Sequence, residues 1–292
     1  MVTSAGCQSV ELVDESSGTR FPMLVMYPAD APEKIERFGP FSLSVAMAAA
    51  PLQGTYPLVI ISHGSGGTHL SHRELARHLA LQGFVVGVPE HPFNNRNDNT
   101  LANTVELLAT RPRDIRTAVD WFFAHSPFSS VVAAGSFSMV GHSMGGYTAL
   151  ALAGGVPTSL PHQTADRQAR RIEVTADPRL KAIVLLAPAT VWFRLRGALD
   201  QVTTPILMIA SYHDEQCPYF YMCQLVVDGV PDAAKVQYRL VENAGHYSFL
   251  GPWPESMRSP AIPPSLDPPG FDRRRFLDEL YVDVADFLTQ NT

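Results

Sequence analysis

Short unbroken apolar runs alternate with stretches at helical spacing along most of this chain. Near the start, Ser9–Val13 and Phe21–Tyr27 flank the turn Glu15-Ser16-Ser17-Gly18, which predicts an antiparallel β-hairpin. Apolar runs at 57–62, 84–89, 136–140, 180–187 and 205–210 read as strands, the first two buried on both faces, and Val236–Leu240 reads as the last strand. Helical segments fall between them. One carries Leu75, Leu79 and Leu81 behind a Ser71/Glu74 capping box, another runs over 114–125, and a third follows residue 143. An amphipathic helix over about 274–289 closes the chain. Strands alternating with helices predict an α/β fold, with a mostly parallel sheet of about eight strands and helices on both faces.

Three stretches break this rhythm. Residues 31–56 mix prolines and glycine with an alanine run, and are expected to form a connection holding a short helix. Residues 154–178 are expected to form an insertion or small cap above the sheet edge. Residues 250–270 contain seven prolines and read as a loop, while the polar run Asn94–Asn99 reads as a solvent-exposed connection. No linker-like break divides the chain, so residues 1–292 are expected to be one domain.

The most informative stretch is Gly141-His142-Ser143-Met144-Gly145. It lies between an apolar strand run and a slim helix rich in glycine and alanine. A serine there is lifted on a sharp turn at the strand's carboxyl end, the G-x-S-x-G setting of a nucleophile. Open α/β sheets place ligands at those strand ends. After the 205–210 strand come Asp214 and Glu215, and after the 236–240 strand comes His246. A serine, an acid and a histidine in that order are the parts of an acyl-transfer triad. The hydroxyl needs a base to become a nucleophile, and the imidazole needs a carboxylate to hold its tautomer. Ser143, Asp214 and His246 are the expected catalytic residues, with Glu215 as the alternative acid. The backbone N–H of Met144, and that of Ser65 in the loop His63-Gly64-Ser65-Gly66-Gly67, are the expected oxyanion donors. His91, His142 and Tyr247 are candidates for contact with substrate. The histidines show no metal-ligand spacing, so no metal and no cofactor are expected.

Composition narrows the class of partner. A net charge of −6 without any basic run argues against nucleic acid. No stretch of about eighteen apolar residues is present, so no membrane span is expected. The first residues lack the basic and apolar pattern of an export signal. Cys7, Cys217 and Cys223 are sparse and odd in number, which fits a reducing, cytoplasmic setting, with a Cys217–Cys223 pair left open. The expected partner is a small-molecule acyl substrate, and nothing in the pattern speaks to an oligomeric state.

These pieces resemble a known group, the serine α/β-hydrolases of the dienelactone hydrolase and platelet-activating-factor acetylhydrolase-like esterase type. The resemblance rests on 61–67, on 81–91, on Arg111-Pro112-Arg113-Asp114-Ile115, on Gly141–Gly146, on Ala244–Leu250 and on Asp267–Arg273. It implies hydrolysis of a carboxylic ester through an acyl-enzyme on Ser143, with the same triad and oxyanion donors. Dienelactone hydrolases use cysteine where this chain has Ser143, a departure that concerns the substrate. The alternatives are amide, thioester or lactone hydrolysis, or acyl transfer in a biosynthetic pathway. A non-catalytic ligand-binding homologue is the alternative from another class.

Overall fold

The computed structural model describes residues 2–292, and its strands form one ten-stranded sheet rather than eight. The opening hairpin pairs β1 (Ser4–Asp14) with β2 (Thr19–Ala29) in antiparallel register. The two additional strands come from the segment expected to hold a helix. Lys34–Phe38 (β3) and Phe41–Met47 (β4) form a second hairpin, which joins the sheet edge through β1. Phe41-Ser42-Leu43-Ser44-Val45 alternates at period two, with Leu43 and Val45 inward, and this pattern overrides the alanines that follow.

The rest is β5 (Tyr56–Ser62), α1 (Arg73–Leu81), β6 (Val85–Pro89), α2 (Val105–Asp120), β7 (Val132–His142) and α3 (Met144–Leu152). Then come β8 (Leu180–Leu186), β9 (Ile206–His213), α4 (Tyr219–Gly229), β10 (Val236–Gly245) and α5 (Arg273–Asn291). The sheet order is β10-β9-β8-β7-β5-β6-β2-β1-β4-β3, and the run from β10 to β6 is parallel. Its strands send alternate residues to opposite cores. Leu58 and Ile60 meet α2, α3 and α4, while Val59 and Ile61 meet α1 and α5. Each such side chain contributes about 1.5–3 kcal/mol by burial, which explains the unbroken apolar runs.

Local expectations changed at two helices. α1 starts at His72 with no side-chain cap, because Ser71 Oγ instead accepts from the Thr68 N–H at 3.0 Å. α2 begins nine residues before the expected start, capped by Thr104, and continues as a π-helical turn over Trp121–His125. It tolerates Pro112 in its interior. That proline has no N–H for the Leu108 carbonyl, and the Tyr147 hydroxyl of α3 donates to it instead at 2.8 Å. The helix bearing Arg111 is thereby tied to the helix that follows Ser143.

No described helix is long and apolar enough to cross a membrane. Residues 154–178 fold back on the turn at 191–194. There the Thr158 N–H donates to the Trp192 carbonyl at 2.8 Å, and Trp192 Nε1–H donates to Gln163 Oε1 at 2.9 Å.

Candidate active site

The turn between β7 and α3 is sterically restricted. Ser143 has φ 55° and ψ −117°, a strained conformation for a residue with a side chain. A Cβ on Gly141 would strike the Gly145 carbonyl, and one on Gly145 would strike the Ser62 carbonyl of the neighbouring strand. At Gly146 a Cβ would come within 2.6 Å of the Pro188 side chain. Only glycine lets the elbow lie this close to the sheet. The Ser143 N–H donates to the Leu186 carbonyl at 2.9 Å, and its carbonyl accepts from Gly146 and Ala189. The side chain is thus carried on a fully anchored backbone.

His246 reaches Ser143 because β10 is irregular. The ladder with β9 shifts between Val241 and Gly245, Asn243 takes a φ of 56°, and His246 emerges directly after the strand. The Ser143 hydroxyl donates to His246 Nε2 at 3.0 Å, and His246 Nδ1–H donates to Asp214 Oδ2 at 2.8 Å. Asp214 is itself fixed. Its Oδ1 accepts from the backbone N–H groups of Gln216 at 2.9 Å and Cys217 at 2.7 Å, and its Oδ2 also accepts from Ser211. Asp214 and His246 are buried, while Ser143 is half-buried at the mouth of the cleft. Glu215, the alternative acid, is exposed and takes no part in it.

The Ser65 and Met144 backbone N–H groups have no acceptor among the described residues. The loop bearing Ser65 adjoins the elbow, for a Cβ on Gly64 would lie 3.1 Å from the Ser143 Cβ. Met144 lies on the elbow turn and Ser65 on the adjoining loop, where an acyl oxygen bound at Ser143 would need donors.

The candidate contact residues divide. His142 and Tyr247 line the cleft above Ser143. Burial holds the His142 imidazole well below its ordinary range, and its Nε2–H donates to the His246 carbonyl at 3.0 Å. His91 does not reach the cleft. It is wholly buried, with Nε2 accepting from the Ser62 hydroxyl at 2.9 Å and Nδ1–H donating to Asp114 at 2.8 Å. A strand end is near the site in sequence terms, but this one turns its histidine inward. Asn94 and Asn95 are likewise buried rather than exposed, because they hold the loops that follow β5 and β6 together.

The cleft has a volume of about 730 Å³. Its outer wall comes from segments remote in sequence, Phe41 of the β3–β4 hairpin and Trp253, Met257 and Pro264 of the proline-rich loop. Phe41 and Trp253 pack edge to face at 5.2 Å, and Arg73 clamps the loop by donating to the Pro252 carbonyl beneath the Phe41 ring. None of residues 154–178 lines the cleft, so the expected cap there is replaced by the 250–270 loop. Sequence reasoning missed Phe41, since a hairpin lay where a helix was expected. It also missed Cys217, whose burial appears only in three dimensions.

All three cysteines are free thiols, which removes the Cys217–Cys223 pairing. Asp214, Cys217 and His246 bring ligand-type atoms within 4.8 Å of one another. A metal would need the Cys217 thiolate, and burial followed by the Asp214 charge pushes that thiol up to about 12. Asp214 and His246 already satisfy each other.

A family profile described as "alpha/beta hydrolase fold" matches residues 57–162, from β5 through the elbow helix. Among curated proteins the chain is similar to a bis(hydroxyethyl) terephthalate hydrolase of Streptomyces coelicolor, 26% identical over 67% of this chain and 52% of that protein. It is also similar to the cutinase est1 of Thermobifida alba, 26% identical over 73% of this chain and 65% of the relative. A cutinase of Thermobifida fusca is 26% identical over 74% of this chain and 58% of its own length. The chain thus spans between about half and two thirds of the length of these three relatives. With the strand order, the elbow and the profile in agreement, the chain has the α/β-hydrolase fold.

Proposed function

We propose that this chain is a serine hydrolase that cleaves a carboxylic ester through an acyl-enzyme on Ser143. The observation that carries this reading is the continuous hydrogen-bonded series from Ser143 through His246 to Asp214, opening onto a cleft. Ser143 Oγ attacks the acyl carbon while His246 Nε2 takes its proton, and Asp214 stabilises the imidazolium. The negative oxygen is held by the N–H groups of Ser65 and Met144. Collapse breaks the ester C–O bond, and the departing alkoxide takes the proton from His246. Water then attacks the acyl-enzyme with His246 as base, releasing the acid and restoring Ser143.

Relatives named for cutin and for a terephthalate diester support an ester over an amide or thioester. Phe41, Leu250, Trp253 and Met257 give the cleft an apolar wall, which suits a small ester with an apolar or aromatic acyl group. The finer assignment to dienelactone hydrolase and acetylhydrolase-like esterases leans to the esterase side, because the elbow carries serine. The cytoplasmic reading is supported by the three free thiols.

The test is incubation with a fluorophosphonate probe, p-nitrophenyl acetate and bis(hydroxyethyl) terephthalate, comparing wild type with Ser143→Ala. Labelling and turnover in the wild type alone are expected. Equal labelling and turnover in the variant would sink the assignment of the nucleophile.

A further inference from the structure

The Arg111-Pro112-Arg113-Asp114 motif takes no part in the proposed chemistry, yet Arg111 is among the largest wholly buried side chains. Burying a guanidinium costs several kcal/mol unless its donors are satisfied. Here it reaches four acceptors on different elements. Nε donates to Thr148 Oγ1 of α3 at 3.1 Å, and Nη1 to Asn94 Oδ1 at 2.5 Å. Nη2 donates to Ser62 Oγ at 3.2 Å and to the His63 carbonyl. Burial lowers Arg111 to about 9, which still leaves it charged at neutral pH.

The acceptors are not scattered. Ser62 and His63 lead directly into the loop that carries Ser65, and Thr148 lies one turn into the helix that begins behind Ser143. Asn94, oriented by Arg111, donates through Nδ2 to Ser65 Oγ at 2.8 Å and to Asn99 Oδ1 at 2.7 Å. Ser65 is exposed and flanked by Gly64, Gly66 and Gly67, with Gly66 at a φ of 66°. Such a backbone has little intrinsic preference for one conformation. It is fixed by the Gly67 N–H on the Gly64 carbonyl at 3.0 Å, by Arg111 on the His63 carbonyl, and by Asn94 on Ser65 Oγ. The adjoining Ser62–His91–Asp114 series has the form of a triad, but it is sealed from the cleft and serves to seat Arg111.

We propose that Arg111 and Asn94 are positioning residues that aim the Ser65 N–H at the oxyanion through the Asn94–Ser65 side-chain bond. The chemistry of this inference rests on the Ser143 reading above. Oxyanion donors act only when held in place beforehand, and an error of about 1 Å costs up to about 10²-fold in rate. A lysine at 111 would keep the charge but lose the planar fork that reaches four acceptors.

The experiment compares Ser65→Ala, Asn94→Ala, their double variant and Ser65→Thr, with Arg111→Lys alongside. Ser65 is exposed, so its variants are expected to fold even where changes at buried Arg111 do not. Ser65→Ala and Asn94→Ala are each expected to lower kcat about tenfold with KM within about twofold, as for a partly misaimed donor. Because the two side chains form one bond, the double variant should be no slower than Asn94→Ala, and Ser65→Thr should recover most of kcat. Hydrogen exchange over residues 63–67 should accelerate in Asn94→Ala while exchange in α5 is unchanged. Wild-type kcat in Asn94→Ala, losses that multiply in the double variant, or unchanged exchange in the loop would each overturn the proposal. If the wild type hydrolyses no ester, the functional reading fails instead. Loop exchange, measured without substrate, still decides whether Asn94 holds Ser65.

Discussion

His246 Nδ1 lies 2.8 Å from Asp214 Oδ2, although 32 residues separate them and Glu215 is the nearer acid to solvent. The Asp214 carboxylate is fixed on its other oxygen by two backbone N–H groups, so it sits where the imidazole needs an acceptor. Asp214→Asn is expected to lower kcat by about 10⁴-fold through the wrong tautomer of His246. Glu215→Gln should leave it within about twofold, as expected for an exposed charge outside the relay. Steady-state kinetics on p-nitrophenyl acetate would check both.

Gly145 tests the elbow without touching its chemistry. A methyl group there meets the Ser62 carbonyl, which belongs to a strand hydrogen-bonded on both sides and has no room to retreat. Gly145→Ala should destabilise the fold by about 3 kcal/mol or more, by overpacking against backbone. Urea unfolding would read this as a lower midpoint with an unchanged slope.

Buried histidines set the response to acid. Burial, with help from Arg73, lowers His72 to about 4. Burial also holds His63, His91 and His142 well below 6.5. Between the unfolded value near 6.5 and these folded values, the unfolded chain binds more protons. Stability must therefore fall as pH drops through that window, by up to about 1.4 kcal/mol per pH unit for each such histidine. Urea midpoints at pH 7, 6 and 5 should decline, and His72→Phe should flatten the decline. A flat profile in the wild type would contradict neutral burial.

The thiols should be silent in the native protein. Burial pushes Cys7, Cys217 and Cys223 each up to about 12, so almost no thiolate exists at neutral pH. Iodoacetamide at pH 7.5 should leave hydrolysis intact even though Cys217 adjoins the relay. A chromogenic disulfide should titrate no thiol before denaturation and three after it. Rapid inactivation by iodoacetamide would instead mark Cys217 as reactive.

Selectivity should follow the proline-rich loop. Trp253→Ala removes an apolar wall of the cleft and should raise KM for bulky aromatic esters about tenfold, while p-nitrophenyl acetate is scarcely affected. Arg170→Ala, in the segment that lies off the cleft, should change neither. A profile of ester chain lengths across the two variants would show it.

What the chain's own residues announced was governed by local rules. Short apolar runs of strand length, bounded by turn residues, fit strands covered on both faces, so most of the parallel half of the sheet was legible. Gly141 to Gly145 could make only a tight turn, since side chains at either glycine would meet backbone. An acid and a histidine after the correct strands completed the relay, because strand ends share one edge of an open sheet. Other features depended on distant partners. The β3–β4 hairpin needed β1 to pair with, and its Phe41 needed Trp253 before either could wall a cleft. His91 read as a candidate substrate contact and Asn94 as part of an exposed connection, until Arg111, seventeen residues beyond Asn94, drew the asparagine into the core. The sequence by itself determined the fold class and the serine and histidine that meet at the elbow, while the choice of Asp214 over Glu215 came with the packed loop. Only tertiary structure decided which loop covers Ser143 and what holds Ser65, because burial and pairing between remote segments are properties of the packed chain.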